Sequence, residues 1–475
     1  MQRVTTHQPW PLFDVAATRA IESAAAASLP PHTLMQRAGL AVARLALALA
    51  PNAKTIWIAC GPGNNGGDGF EAAMHLQGWG KQAVVTWLGD EAKAPADALA
   101  SLKRARDAGV LFASEPPAHW DLAIDALLGL GGARAMDGAM AQWAALMSAA
   151  PAPVLAVDLP SGLGADTGAG HTVRATHTLA LLVLKPGLFT AAGRDASGQV
   201  WLDDLGVGHG EQTPTAWLAG PPAVPVRAHA SHKGSYGDVG VVGGGPGMTG
   251  AALLAASAAL HDGAGRVFVS LLDGMGLAID PPQPELMLRP WDSLDLAHMA
   301  VACGCGGGDS IRAVLPKVLS SADSLVLDAD ALNAIAADMQ LQSLLQARAR
   351  RQKATVLTPH PLEAARLLGC DTTHVQGDRL RASRDLAQRF ACVVVLKGSG
   401  TVIAAPGSAP LINPTGNARL ATAGTGDVLA GMIAARLAAG ASAMDAAAGA
   451  VYAHGLAADR WPAGEPLTAS ALARR

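Results

Sequence analysis

Residues 60–70 read CGPGNNGGDGF, between an apolar run, Thr55–Ala59, and a helix-like run from Phe70. Gly61, Gly63 and Gly66 satisfy G-x-G-x-x-G, the spacing at which bare amides and a helix N-terminus meet a pyrophosphate. An acid inside such a loop would repel phosphates, and Asp68 stands there; Asp90 stands where a ribose-binding acid is expected. With 54 glycines in the chain, that glycine spacing alone is weak. The string NNGGDG carries more weight: there are six asparagines in all, and a chance match is on the order of one in a hundred thousand. Asn and Asp could merely cap a helix here, or their oxygens could hold a hard cation. Two further strand ends, IDALLGLG with Asp125 and VDLPSG with Asp158 and Ser161, offer oxygen ligands on the same expected sheet edge. Each Asp alone would suit a helix cap; three on one edge suit a small-molecule site.

The later half carries a second constellation. AGTGDVLAG places Asp427 in a glycine turn opening an Ala-rich helix, where it could take a proton from a hydroxyl attacking a phosphoryl group. Lys397-Gly398-Ser399-Gly400-Thr401 lies between two strand-like runs and could face phosphates, or be a basic hairpin turn. His360 is flanked by Pro359 and Pro361 and starts a helix, which also suits a fixed turn.

The elements that must position these residues alternate. Strands are expected near 54–59, 82–87, 121–125, 153–158 and 177–183, with helices at 14–28, 33–49, 67–78, 96–108 and 139–149. A Pro-rich, aperiodic stretch around 210–230 reads as a linker. Beyond it strands are expected near 238–242, 266–270, 298–302, 324–328, 354–358 and 392–396, separated by helices. The pattern is α/β with parallel sheets in two domains. The boundaries are 1–212, a linker at 213–225, and 226–475.

Composition narrows the functions. A chain of 475 residues suits about three domains by length. The net charge of −3 and 4% aromatic content argue against a nucleic-acid footprint. Five scattered cysteines suggest no disulfide framework, and Cys303-Gly304-Cys305 lacks a second pair at zinc spacing. The early apolar run, Ala38–Ala50, is too short to span a bilayer, and no signal peptide is visible. A cytoplasmic protein without membrane association is expected, and a homo-oligomer.

CGPGNNGGDGF, DALLGLG and VDLPSG, with Met35, Ala38-Gly39 and Lys185-Pro186-Gly187, resemble the NAD(P)HX epimerases over residues 1–210. The resemblance implies a Rossmann-like three-layer sandwich that binds hydrated nicotinamide nucleotide. Substrate would meet Asn64, Asn65, Gly66, Gly67 and Asp68, and a second segment of Gly129, Leu130, Gly131, Gly132, Ala133, Arg134 and Ala135. Asn65, Asp125 and Ser161 would hold a potassium ion, and Asp158 would bind substrate as the acid/base. HKGSYGDVGVVGG, TPHPLEAARLLG, VVLKGSGT and AGTGDVLAG resemble the ADP/ATP-dependent NAD(P)HX dehydratases over roughly 226–475. That implies a ribokinase-like fold. Lys397, Gly398, Ser399, Gly400, Thr401 and Gly426 would contact ADP, accompanied by magnesium. Ala251, Gly306, His360 and Asp427 would contact the hydrated cofactor, Asp427 catalytically. The chain departs from the family's pattern at Cys305, usually proline, at Leu362, usually glycine, and at Arg419-Leu420, where smaller residues are common. The other readings are a ribokinase-like vitamin or sugar kinase whose first domain is regulatory, or a first domain that is a binding scaffold.

Overall fold

The computed structural model describes residues 1–131, 135–223, 228–274 and 276–475. It divides into two compact units, one of Met1–Thr5 with Trp10–Leu218, the other of Thr6–Pro9 with Ala219–Arg475. Within the stretch read as a linker, Ala216–Leu218 is a strand, paired antiparallel with Trp10–Leu12. Three residues between prolines are too few to show periodicity.

In the first unit an eight-stranded sheet runs in the order Gln2–Arg3, Gln199–Asp203, His177–Leu181, Val154–Val157, Leu122–Ala126, Thr55–Cys60, Gln82–Trp87, Leu111–Ala113. All neighbours are parallel except the first pair. The chain leaves Thr55–Cys60 in one direction, then returns to place Leu122–Ala126 on its other side. That reversal opens a crevice at the carboxyl ends of these two strands, where open α/β sheets bind ligands. Leu111–Ala113, three residues at the sheet edge, and Gln199–Asp203, polar at both ends and preceded by a short helical turn, were not anticipated.

The helix after Thr55–Cys60 starts at Asn64, not near 67 as its propensities suggest. Asn and Gly are poor helix formers, but tertiary packing overrides propensity here. A Cβ on Gly66 would stand 2.1 Å from the Gly61 oxygen, on Gly67 2.6 Å from Met35 Sδ, and on Gly69 2.7 Å from Cys60 Sγ. Only bare backbone lets this helix approach its strand and the helix Thr33–Leu49. Asn65 and Asp68 are therefore helical residues one turn apart, on one face.

The second unit orders its strands Met287–Leu288, Arg266–Leu271, Asp238–Gly243, Ala300–Cys303, Ser324–Leu327, Thr355–Leu357, Val393–Leu396, Val402–Ala404, Leu411–Ile412. The first seven are parallel and the last two turn back as antiparallel neighbours. Here too the direction reverses, between Asp238–Gly243 and Ala300–Cys303. The apolar helices Thr249–His261 and Thr425–Ala438 pack on this sheet, so Asp427 arrives at its carboxyl edge from a helix's first turn. Among the described residues, no helix is long and apolar enough to cross a membrane.

Candidate active sites

At the first crevice, Asp125 sits in the strand Leu122–Ala126 and is fully buried. It caps no helix, since the next one begins at Gly138. Ser161 donates its Oγ–H to Asp125 Oδ1 at 2.6 Å and its N–H to Oδ2 at 2.8 Å. The Leu128 N–H donates to Ser161 Oγ at 2.8 Å, which draws the Gly129 segment to the same point. Burial, opposed only by hydrogen bonds from Ser161 and Leu127, raises Asp125 to about 6. A Cβ on Gly129 would lie 3.2 Å from Asn65 Oδ1, so the amide fills the space that the glycine leaves. Asn65 Nδ2 is buried without a hydrogen-bond partner. Asn65, Asp125 and Ser161 thus converge; Asn64 lies exposed at the helix start.

Asp158 follows Val154–Val157 with φ 66°, a left-handed conformation that a residue with a side chain adopts at a cost of about 1–3 kcal/mol. Its Oδ1 accepts from Lys185 Nζ and, at 3.1 Å, from the Leu181 N–H. Asp68 is pushed well above the carboxylate range by burial, then by the Asp158 and Glu22 carboxylates. Glu22, from the helix Val15–Ser28, is raised by burial and by Asp158. Lys185 and Glu22 were not assigned to the site from sequence. Lys185 stood in a quoted motif, but its partner could not be read without the sheet order; Glu22 had no local signal. Of the second segment, Gly129, Leu130 and Gly131 follow the Asp125 strand. Gly132, Ala133 and Arg134 lie outside the described residues. Ala135 lines a cavity of about 550 Å³ with Met136, His171 and Arg174.

The second crevice is organised by Asp328, which was missed although it ends a strand, Ser324–Leu327, as Asp158 does. Its Oδ1 accepts from Lys397 Nζ at 2.7 Å and Thr358 Oγ1 at 2.8 Å. Burial lowers Lys397, but the Asp328 and Glu363 carboxylates outweigh it and raise the group overall. A Cβ on Gly426 would lie 3.2 Å from Lys397 Nζ, so the turn before Asp427 lies against the ammonium. Asp427 is raised to about 6, by burial first and then Asp328, against the Cys305 hydrogen bond and Lys397. Glu363 reaches about 7, chiefly through burial.

Ligand atoms of Cys305, Asp328 and Asp427 lie within 4.8 Å of one another. The Lys397 ammonium already supplies the cation, and burial holds the Cys305 thiol well above its usual range. Cys303 lies in the strand, its carbonyl accepting from the Asp328 N–H at 3.1 Å, and its thiol is not part of the cluster. Gly306, at φ 58°, packs on Ala251: a Cβ there would meet the Ala251 methyl at 2.8 Å. His360 forms a capping box, its Nδ1 accepting from the Leu362 and Glu363 N–H groups while Glu363 accepts from the His360 N–H at 2.8 Å. A turn role is thus filled, and Nε2 faces Glu363 at 3.3 Å.

Lys397 follows the strand Val393–Leu396, and Thr401 Oγ1 closes the next turn on the Gly398 carbonyl at 3.1 Å. The buried Arg379 fixes that turn, with Nη2 donating to the carbonyls of Leu396 and Lys397 at 3.1 Å each. Sequence reasoning missed Arg379, which lies in an ordinary amphipathic helix, Arg379–Phe390.

Two family models match the chain: "YjeF-related protein N-terminus" over residues 31–187 and "NAD(P)H-hydrate dehydratase" over 239–474. The bifunctional NAD(P)H-hydrate repair enzyme of Escherichia coli (strain K12) is 37% identical, covering 92% of this chain and 87% of that protein. The ADP-dependent (S)-NAD(P)H-hydrate dehydratase of Neisseria meningitidis serogroup B is 44% identical, covering 50% of this chain and 82% of its own. A crystal structure of the ADP/ATP-dependent NAD(P)H-hydrate dehydratase from Bacillus subtilis, with ATP and magnesium, is 31% identical with a TM-score of 0.44. It covers 53% of this chain and 91% of that one. The chain belongs to the family of bifunctional NAD(P)H-hydrate repair enzymes.

Proposed function

We propose that the chain repairs hydrated NADH and NADPH in two steps, one in each unit. The first unit interconverts the R and S epimers; the second dehydrates the S epimer with ADP, releasing AMP and phosphate. The observation that carries this reading is that each unit gathers a cluster of carboxyls, one of them raised by burial, at the carboxyl edge of its own parallel sheet. Asp158 with Asp68 forms one cluster, and Asp427 with Asp328 and Lys397 the other.

In the first unit the substrate lies over Asn64–Asp68 and the segment from Gly129 to Ala135. Asp158 takes the proton of the ring hydroxyl as the bond from its carbon to the ring nitrogen breaks with its electron pair going to nitrogen. Asp68, whose carboxyl burial pushes up, protonates the enamine that is released. Reclosure on the other face of the aldehyde returns both protons and inverts the carbon. Burial and the neighbouring carboxylates favour the protonated form of Asp68, which suits it to the donor's part in acid/base work. The donor set of Asn65, Asp125 and Ser161 fits a hard monovalent cation, potassium. It consists of oxygen ligands, and Asp125 is a buried carboxylate with no cation among the groups acting on it. A half-turn of the Asn65 amide would put oxygen where its unpartnered nitrogen lies. When bound, the ion supplies fixed positive charge beside the substrate.

In the second unit Lys397, the Gly398–Thr401 turn and Gly426 hold the ADP phosphates, accompanied by magnesium. Asp427 accepts the proton as the ring hydroxyl oxygen attacks the terminal phosphorus, and AMP leaves. The C–O bond then breaks with its electron pair going to phosphate, a ring proton departs, and the dihydronicotinamide double bond is restored. Ala251, Gly306 and His360 line the side that the cofactor approaches.

The test is product analysis. Purified S epimer with ADP and magnesium should give equal AMP, phosphate and reduced cofactor, with no stable phosphorylated compound. A stable phosphorylated product would instead make the second unit a kinase.

A further inference from the structure

Lys185 is fully buried, and none of the chemistry above uses it. We propose that Lys185 is the positioning residue of the epimerase centre, clamping one carboxylate oxygen of Asp158 so that the other alone meets the substrate hydroxyl. The inference rests on the reading of Asp158 as acid/base.

The geometry commits one oxygen. Asp158 Oδ1 accepts from Lys185 Nζ and from the Leu181 N–H, while Oδ2 has no hydrogen-bond partner among the described residues. Nζ is itself fixed, donating also to the Leu181 carbonyl at 2.8 Å. The clamp closes a loop between the ends of two neighbouring strands, Val154–Val157 and His177–Leu181. The turn that carries the lysine is rigid as well. Pro186 follows it, the Gly187 N–H donates to the Ala165 carbonyl at 2.7 Å, and a Cβ on Gly187 would stand 2.1 Å from the Gly164 oxygen. At the other end the left-handed backbone of Asp158 sets the direction of its side chain, and its N–H is held by the Leu179 carbonyl at 2.8 Å.

Charge explains why a cation is needed there. Asp68, from the glycine helix, and Glu22, from the first helix, both act on Asp158 as like charges when ionised. A buried carboxylate without a partner among such neighbours would be neutralised or displaced. An ammonium on a four-carbon stem can reach Oδ1 from the turn beyond the neighbouring strand and leave the crevice face open.

The full-length chain reports this directly. With mixed epimers, ADP and magnesium, recovery of reduced-nicotinamide absorbance has a fast phase, dehydration of the S epimer, and a second phase set by epimerisation. Lys185→Met should slow the second phase ~100-fold through kcat with KM little changed, and leave the fast phase alone. Lys185→Ala, which leaves a hole, should regain activity with added ethylamine; Lys185→Met, which fills it, should not. Adding Lys185→Met to Asp158→Asn should cost little beyond Asp158→Asn alone. Unchanged second-phase kcat in both lysine variants would overturn the proposal, as would loss of activity in Lys185→Ala that no amine restores. If Asp158→Asn itself keeps the second phase, the assignment of Asp158 fails and this inference fails with it.

Discussion

Asp427→Asn should move activity and stability in opposite directions. Burial first, and then the Asp328 carboxylate, raise the Asp427 carboxyl from its ordinary 3.8 to about 6. Unfolded, the group titrates near its ordinary value. Between the two values the folded chain binds more protons, so rising pH erodes stability through that window, and the full cost stands above pH 6. The gap of about 2 pH units corresponds to about 3 kcal/mol. An amide keeps the shape and cannot ionise, so the variant should gain up to ~3 kcal/mol over wild type above neutral pH. The gain should fade as pH falls from about 6 and vanish below 3.8, where both states of the wild type are protonated. Urea unfolding of the full chain, followed by circular dichroism at several pH values, measures it. The same variant should lose dehydration by ~100-fold or more, since no base then receives the hydroxyl proton. In wild type, kcat/KM for the S epimer should fall tenfold per pH unit below about 6. A variant that is less stable at neutral pH, or that dehydrates within tenfold of wild type, would refute the reasoning.

Other outcomes follow from the same geometry. His360→Ala should lose about 1 kcal/mol with its cap. His360→Asn should keep that stability yet lose dehydration; full activity in His360→Asn would reduce His360 to a cap. Gly66→Ala drives a methyl to 2.1 Å from the Gly61 oxygen and should cost ~3 kcal/mol or more in thermal unfolding. Asp125→Asn should abolish the response of the second, epimerising phase to potassium in a potassium-against-sodium titration. A retained potassium response would remove Asp125 from the ion's ligands.

The parallel α/β architecture was legible because strand and helix periods alternate over long stretches. Thr55–Cys60 and Asp238–Gly243 were both anticipated to within a residue or so. What escaped were short strands, such as Met287–Leu288 and Leu111–Ala113 at the sheet edges, and the early start of the glycine helix. There, packing against Gly61, Met35 and Cys60 decides, and propensity points the other way. The site residues that stood out were those with local signatures: the NNGGDG string, Asp residues at strand ends, and the Lys397 turn. Asp328 carried the strand-end signature too and was missed. Glu22, Lys185 and Arg379 act across 17 to 136 residues of chain, on Asp158, Asp158 and Leu396 in the sites described. Contacts at that separation come from sheet order, which no local pattern encodes.

The central claim is that two separable chemistries, centred on Asp158 and Asp427, complete one repair. Complementation tests it most directly. Full-length Asp158→Asn, given mixed epimers, ADP and magnesium, should stop once the S epimer is consumed, apart from slow spontaneous interconversion, and Asp427→Asn should restore almost nothing. The two variants mixed in one cuvette should recover all the reduced cofactor at a rate near that of wild type. A mixture that stops where Asp158→Asn alone stops would contradict the account.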